Sequence, residues 1–244
     1  MMRILTWLIN FIIRLILHLI LKIDVSELKK VPKKGPLIVV ANHVNFLDAP
    51  VLITHLVPRR ITGLVKKETW DDPFMAFLFN LWGGIPIDRG TADFNAFKAA
   101  KRALLVDNMI LAVAPEGTRS ENGRLTRGKP GITILAKQSG VPVLPIVYYG
   151  HEEFKQNIRR LKRTPMTIKV GKPFRCKFDR LHNDKIDMQA MTDAIMLEIA
   201  ALLPEKYHGD YAQIAVDKDR YLEYLDTPSG EHIPQTLGKQ FSHA

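Results

Sequence analysis

Cysteine is all but absent from this 244-residue chain, with Cys176 the only one. That excludes an internal disulfide framework and any multi-cysteine metal centre. It fits a reducing compartment, and a lone thiol of this kind reads as a small core hydrophobe rather than a nucleophile. No Gly-x-Ser-x-Gly elbow occurs, so a serine-hydrolase triad has no obvious nucleophile. His151-Glu152-Glu153-Phe154-Lys155 opens like a zinc-protease helix but lacks the second histidine. Gly123-Arg124-Leu125-Thr126-Arg127-Gly128-Lys129 is spaced like a phosphate loop. Pro130 stands where a hydroxyl would have to hold a metal ion, and no strand leads directly in. Acidic residues are also short, 25 against 35 Lys and Arg, for a formal net charge of +10. A balance of that sign points to anionic partners: phosphate groups, nucleic acid or a membrane surface.

The N-terminus favours the membrane. Met1–Ile23 is strongly apolar and about the length of a bilayer span. Its polar residues form a stripe near helical spacing: Asn10, Arg14, His18 and Lys22, with Arg3 and Thr6 on the same side. Arg14 near the centre of a span would cost roughly 2.5–3.5 kcal/mol. A helix lying in the interface places the stripe among headgroups without that penalty. The pattern therefore predicts an amphipathic, membrane-anchoring helix over residues 1–24. Lys29, Lys30, Lys33 and Lys34 follow, suited to an anionic leaflet. No small-x-small cleavage site follows the apolar run. The expected location is membrane-associated on the cytoplasmic face, the inner membrane if the source is bacterial. A second basic cluster, Lys155, Arg159, Arg160, Lys162 and Arg163, lies in no recognised nucleic-acid module, so no specific nucleic-acid partner is expected.

Beyond the anchor, apolar β-type runs alternate with helical patterns. Strands are expected at Leu37–Ala41, Ile61–Val65, Ile85–Ile87, Met109–Ala114, Val143–Tyr148 and Met166–Val170. Helices are expected at Asp48–His55, with Asp48 as N-cap and Pro50 in the first turn, and at Pro73–Leu81, Asp93–Val106, Ile132–Ser139 and Asp187–Leu203. Tyr207–Leu225 reads as a further helix and residues 226–244 as a polar tail. The pattern implies an α/β fold, a mixed sheet flanked by helices, with one main domain over residues 25–225. In such folds sites gather in loops beyond strand ends.

His43 and Asp48 occupy such a loop, in Asn42-His43-Val44-Asn45-Phe46-Leu47-Asp48. Five residues apart, they lie about 140° apart on a helix and on opposite faces of a strand, so only a loop that folds back unites them. A histidine bonded to a carboxylate is an oriented general base. The alternative is a turn whose aspartate merely caps the next helix. Gly84-Ile85-Pro86-Ile87-Asp88-Arg89 ends a second apolar run with a cation. Ala114-Pro115-Glu116-Gly117-Thr118-Arg119-Ser120 ends a third with a charged turn. Guanidinium forks suit bidentate phosphate recognition. Taken singly, Arg89 also reads as a surface arginine, and Glu116 with Arg119 as an internal ion pair.

These blocks, followed by Val141-Pro142-Val143-Leu144-Pro145-Ile146, recur in order over roughly Leu37 to Tyr149. In this the chain resembles the glycerolipid acyltransferases, a family that includes the 1-acylglycerol-3-phosphate (lysophosphatidic acid) acyltransferases. The resemblance implies that His43 is the general base and Asp48 its orienting carboxylate. It implies that Arg89 binds the acceptor phosphate and that Glu116, Gly117, Thr118 and Arg119 shape the acceptor site. Pro142 and Pro145 would support that site, and Lys66 would add positive charge to it. It further implies O-acyl transfer from acyl-CoA or acyl carrier protein to a lysophospholipid hydroxyl, within phospholipid biosynthesis, with no metal and no cofactor beyond the thioester co-substrate. Other acceptors of the class are glycerol-3-phosphate and lysolipids with different headgroups. An acyl thioesterase and a non-catalytic membrane scaffold are the readings outside it. The chain departs from the family at Ile87, where phenylalanine is frequent. It departs again at Leu125-Thr126-Arg127-Gly128, which lacks a frequent lysine; Arg127 and Lys129 are the cations available to replace it.

Overall fold

The computed structural model describes residues 2–90, 93–120, 122–178 and 187–226. Helix α1 spans Met2–Ile20 and runs directly into strand β1, Leu21–Asp24. The predicted 24-residue helix is therefore shorter, because Leu21, wholly buried, pairs with Thr164 at a sheet edge. Arg163 closes the end of α1, donating to the carbonyls of His18 (2.8 Å) and Leu21 (2.7 Å). Such carbonyls have no partner within the helix.

The chain continues through β2 (Leu37–Ala41), α2 (Asp48–His55), β3 (Ile61–Lys66), α3 (Pro73–Trp82), β4 (Ile85–Ile87) and α4 (Phe94–Leu105). It then forms β5 (Ile110–Val113), α5 (Gly131–Ser139), β6 (Val143–Tyr149), α6 (Phe154–Arg159) and β7 (Thr164–Val170). Last come β8 (Phe174–Cys176), α7 (Met188–Ala200), α8 (Lys218–Tyr221) and β9 (Leu222–Tyr224). Caps set several boundaries. Asp72, Asp93 and Asp187 accept backbone N–H groups at the starts of α3, α4 and α7, and Gly83 ends α3 in the left-handed region. The single helix expected over 207–225 is replaced by 3-10 turns, α8 and β9. The expected tail, except Asp226, lies outside the described residues.

The sheet order is β1-β7-β6-β2-β5-β3-β4, with β8 paired to β6 and to β9. β6, β2, β5, β3 and β4 run parallel, while β7 and β8 are antiparallel to β6. The sheet is thus mixed, as predicted. Side chains alternate across it with period two. Leu37, Val39, Ile110, Leu144 and Ile146 face Leu17 of α1 and Val51, Leu52 and Leu56 of α2. Ile38, Val40, Leu111, Val113 and Val147 face Ala100 and Leu104 of α4, Leu135 of α5 and Ile195 and Ile199 of α7. Cys176 is largely covered in β8, and burial pushes its thiol up to about 12, so it is no nucleophile.

Because the central strands are parallel, their carboxyl ends share one edge. Lys66 ends β3 at that edge, and the loops after β2, β4, β5 and β6 open there carrying His43, Arg89, Glu116–Arg119 and His151 respectively.

No described helix is long and apolar enough to cross a membrane. α1 nevertheless exposes Ile4, Leu5, Trp7, Leu8, Phe11, Ile12, Leu15, Ile16 and Leu19. Two members of its polar stripe meet the domain. Asn10 is buried and accepts from Trp82 Nε1 at 2.9 Å, and His18 Nε2 lies 3.1 Å from His55 Nε2.

Candidate active site

Asn42 anchors the loop after β2. Its side-chain amide donates to the Tyr148 carbonyl (2.8 Å) and its Oδ1 accepts the Tyr148 N–H (2.9 Å). The backbone then folds back around the Asp48 carboxylate. Oδ2 accepts the N–H groups of Val44 (2.8 Å) and Asn45 (3.1 Å) as well as Nδ1–H of His43 (2.7 Å). Asp48 therefore does not cap α2. Leu47 is the N-cap, without a side-chain cap bond, and the aspartate is spent on closing the loop.

Asp48 is only 4% exposed. Burial alone would push its carboxyl up; hydrogen bonds from His151 and His43, reinforced by their charge when protonated, outweigh that and hold it below the usual carboxylate range. The His43 tautomer follows from its two neighbours. The carboxylate takes a proton from Nδ1, and Nε–H of Arg119, a donor only, approaches Nε2 at 3.3 Å. Nε2 thus presents a lone pair.

Glu116 is 2% exposed. Its Oε1 accepts the His43 N–H (3.3 Å) and its Oε2 accepts Thr126 N–H (2.8 Å) and Oγ1–H (3.0 Å). Burial, only partly offset by these bonds, raises its carboxyl above the usual range. The Glu116–Arg119 ion pair considered from sequence does not form. Glu116 is a wall that joins two loops rather than a group offered to a ligand. Ser120 N–H adds a 2.7 Å bond to the His43 carbonyl. Gly117 sits at φ +71°, where a side chain is strained, and a Cβ there would lie 3.1–3.2 Å from the Lys129 side chain. Lys129 is therefore the cation that reaches this turn. Arg127 instead bonds Asp193 of α7 at 2.6 Å, which removes it as the replacement for the missing lysine.

Arg89 is exposed. Partial burial lowers the pKa of its guanidinium, and the positive charge of Arg119 lowers it further. Thr118 is exposed on the same turn. Lys66, at the end of β3, joins Glu68 at 3.3 Å.

A base with an oriented lone pair beside the Arg119 guanidinium can deprotonate a hydroxyl whose molecule carries a phosphate. The family model described as Acyltransferase matches residues 22–149. The chain belongs to the acyltransferase family. Among its relatives, a 1-acyl-sn-glycerol-3-phosphate acyltransferase of Limnanthes douglasii is 35% identical over 62% of this chain and 53% of the plant protein. One of the same name from Cocos nucifera is 33% identical over 62% of this chain and 49% of its own length. The chain spans about half the length of the curated relatives it matches. The crystal structure of the 1-acyl-sn-glycerophosphate acyltransferase PlsC from Thermotoga maritima superposes with a TM-score of 0.62. It covers 82% of this chain and 79% of that one at 23% identity, and so shares the fold.

The matched acyltransferase segment ends at Tyr149, two residues before a group that the sequence reading did not recruit. His151 is fully buried, and its Nε2 lies 2.6 Å from Asp48 Oδ1. Read by local spacing, it was an incomplete zinc motif, and among the described residues no cluster of His, Cys, Asp and Glu could hold a metal. Its position just past the carboxyl end of a parallel strand is the signal that would have found it.

Proposed function

We propose that this chain transfers a fatty acyl group from a thioester, acyl-CoA or acyl carrier protein, to the free hydroxyl of a lysophospholipid. The acceptor is 1-acylglycerol-3-phosphate and the product phosphatidic acid. The observation that carries the reading is the His43 lone pair, oriented by Asp48 and flanked by Arg119. Nε2 takes the proton as the acceptor oxygen attacks the thioester carbonyl carbon. The C–S bond then breaks, and the leaving thiolate recovers that proton from the imidazolium. Asp48 stabilises the imidazolium meanwhile. Such base catalysis contributes about 10²–10⁴-fold. The acceptor phosphate draws the Arg119 fork from Nε2 onto its own oxygens, which clears the lone pair for the hydroxyl; Arg89 and Lys129 complete the anion site. The reaction requires neither a metal nor ATP, because the thioester is already activated.

The exposed apolar face of α1 supports a membrane-associated enzyme working on the cytoplasmic leaflet, the inner membrane in a bacterium, where a lysophospholipid holds its hydroxyl at headgroup level. The test offers purified protein in mixed vesicles a matrix of acyl-CoA and acyl carrier protein donors with lysophospholipid acceptors, and identifies products by mass spectrometry. Phosphatidic acid is the expected product, lost in His43→Ala with folding intact, and Arg89→Ala raises the KM for the phosphate-bearing acceptor. Free fatty acid released equally with and without lysolipid would make the protein a thioesterase and overturn the proposal.

A further inference from the structure

We infer that His151 is a second, positioning histidine, which holds Asp48 by its free carboxylate oxygen so that the other oxygen stays on His43. The inference rests on the reading of His43 as the base.

Asp48 Oδ2 already accepts from His43, Val44 and Asn45, leaving Oδ1 with one donor, His151 Nε2. That oxygen is otherwise buried, and a buried carboxylate oxygen without a donor loses its solvation uncompensated. His151 grips the loop a second time through its backbone, whose carbonyl accepts the Asn45 side-chain amide at 3.0 Å. Together with the Asn42–Tyr148 pair, these bonds tie the loop after β2 to the end of β6 along its whole length. The carboxylate is thereby fixed in plane and rotation by groups on the loops that follow two neighbouring strands.

The structure also sets the direction of the bond. His151 Nδ1 is buried with no hydrogen-bond partner. A lone pair is tolerated there, whereas a proton would be a buried donor with no acceptor. His151 is therefore the Nε2–H tautomer, a fixed donor to Asp48 that takes no proton from it. The titratable and charged groups around the network are His43, Glu116 and Arg119 on the substrate side and Tyr148 behind it, where Asp48 and burial raise the phenol. A polar brace on Oδ1 does what this neighbourhood otherwise lacks. It keeps Asp48 ionised while leaving Oδ2 pointed at His43.

Three variants and one spectroscopic measurement test the inference. His151→Leu removes the donor and should lower kcat roughly 10- to 100-fold, the worth of one hydrogen bond to a charged group. KM for the acceptor should stay unchanged, because the arginines are untouched. The acid limb of the kcat profile should move to higher pH as Asp48 protonates more readily. His151→Gln, which offers an amide N–H at similar reach, should restore most of kcat and return the limb toward the parent position. A purely structural His151 would instead lower stability with the limb unmoved and no preference for Gln over Leu, and that result overturns the inference. Should the leucine variant not fold, long-range 1H–15N correlation on the parent decides the matter. The expected pattern is protonated Nε2 and bare Nδ1 for His151, with the Nε2–H resonance shifting in Asp48→Asn. An Nδ1–H tautomer overturns the inference. The spectroscopic readout needs no turnover, so it stands apart from the acyl-transfer assay that tests the parent activity.

Discussion

Asp48→Asn separates charge from shape at the centre of the site. Asparagine matches the aspartate in size but carries one oxygen. That oxygen must take the Oδ2 place, because two of the three donors there are backbone N–H groups that cannot reverse. The new amide then faces His151 Nε2 across what was a 2.6 Å bond. Donor meets donor unless His151 moves its proton to Nδ1, and Nδ1 has no acceptor. At least one buried N–H is left unpaired either way, at a cost of about 1–3 kcal/mol. Three charge-assisted bonds also become neutral, each falling from about 1.5–3 to about 0.5–1.5 kcal/mol. Relief of the buried carboxylate's desolvation offsets part of this. The expected loss of stability is therefore modest, about 1–3 kcal/mol, read as a lower urea midpoint with an unchanged slope. The expected loss of rate is larger, because the imidazolium formed on His43 loses its counter-charge: about 10²–10⁴-fold in kcat, with KM for the acceptor little changed. Steady-state kinetics on the folded variant measure both. A kcat within about threefold of the parent, worth less than 1 kcal/mol, would refute the view that Asp48 acts through its charge.

Stability should fall in acid through Asp48, whose folded carboxyl sits below its unfolded value: the contribution is complete above about pH 4 and is lost as pH drops through the folded value. Urea midpoints against pH should show this slope in the parent and lose it in Asp48→Asn. Trp82→Phe removes the donor to buried Asn10 Oδ1 and should cost about 1–3 kcal/mol, visible in lipid-free denaturation and as faster amide exchange in α1; an unchanged midpoint would show that the bond does not tie α1 down. Gly117→Ala places a side chain at φ +71° against Lys129 and should cost about 1–2 kcal/mol while raising the acceptor KM; wild-type values of both would remove this turn from the anion site.

Much of the fold is legible in the sequence because β2, β5 and β6 are buried on both faces, so their apolar runs stand out, and β7 shows clean alternation of buried and outward residues. β1 is not legible. The apolar run of α1 continues through Leu21 without a break, and only pairing with β7 makes those residues a strand. β8 and β9 are three residues each, too short for alternation to show. The segment 207–225 imitates a helix because Tyr207 and Tyr211 recur at helical spacing, yet each is buried from its own 3-10 turn. At the site, His43 and Asp48 are close in sequence and their union can be foreseen from the spacing. His151 is 103 residues from Asp48, and no local pattern links them. What does link them is topology: β2 and β6 are parallel neighbours, Ala41 lying opposite Ile146, so the residues that follow each strand emerge side by side.

The same topology explains how one helix can serve both the domain and the proposed membrane surface. A surface helix in water turns its apolar stripe to the core. α1 does the reverse along most of its length, exposing Trp7, Leu15 and Leu19 while Asn10 is buried on Trp82 and His18 rests on His55. Two members of the polar stripe, Asn10 and His18, find partners on α3 and α2. A helix whose polar groups are already bonded to its own domain can sink its outer face into hydrocarbon without desolvating them further. His55, which meets that stripe, closes the helix that Asp48 begins, so α1 rests on the element that carries Asp48. In the proposed reading that short connection sets the height of His43 above the bilayer, at the level where a lysophospholipid holds its free hydroxyl.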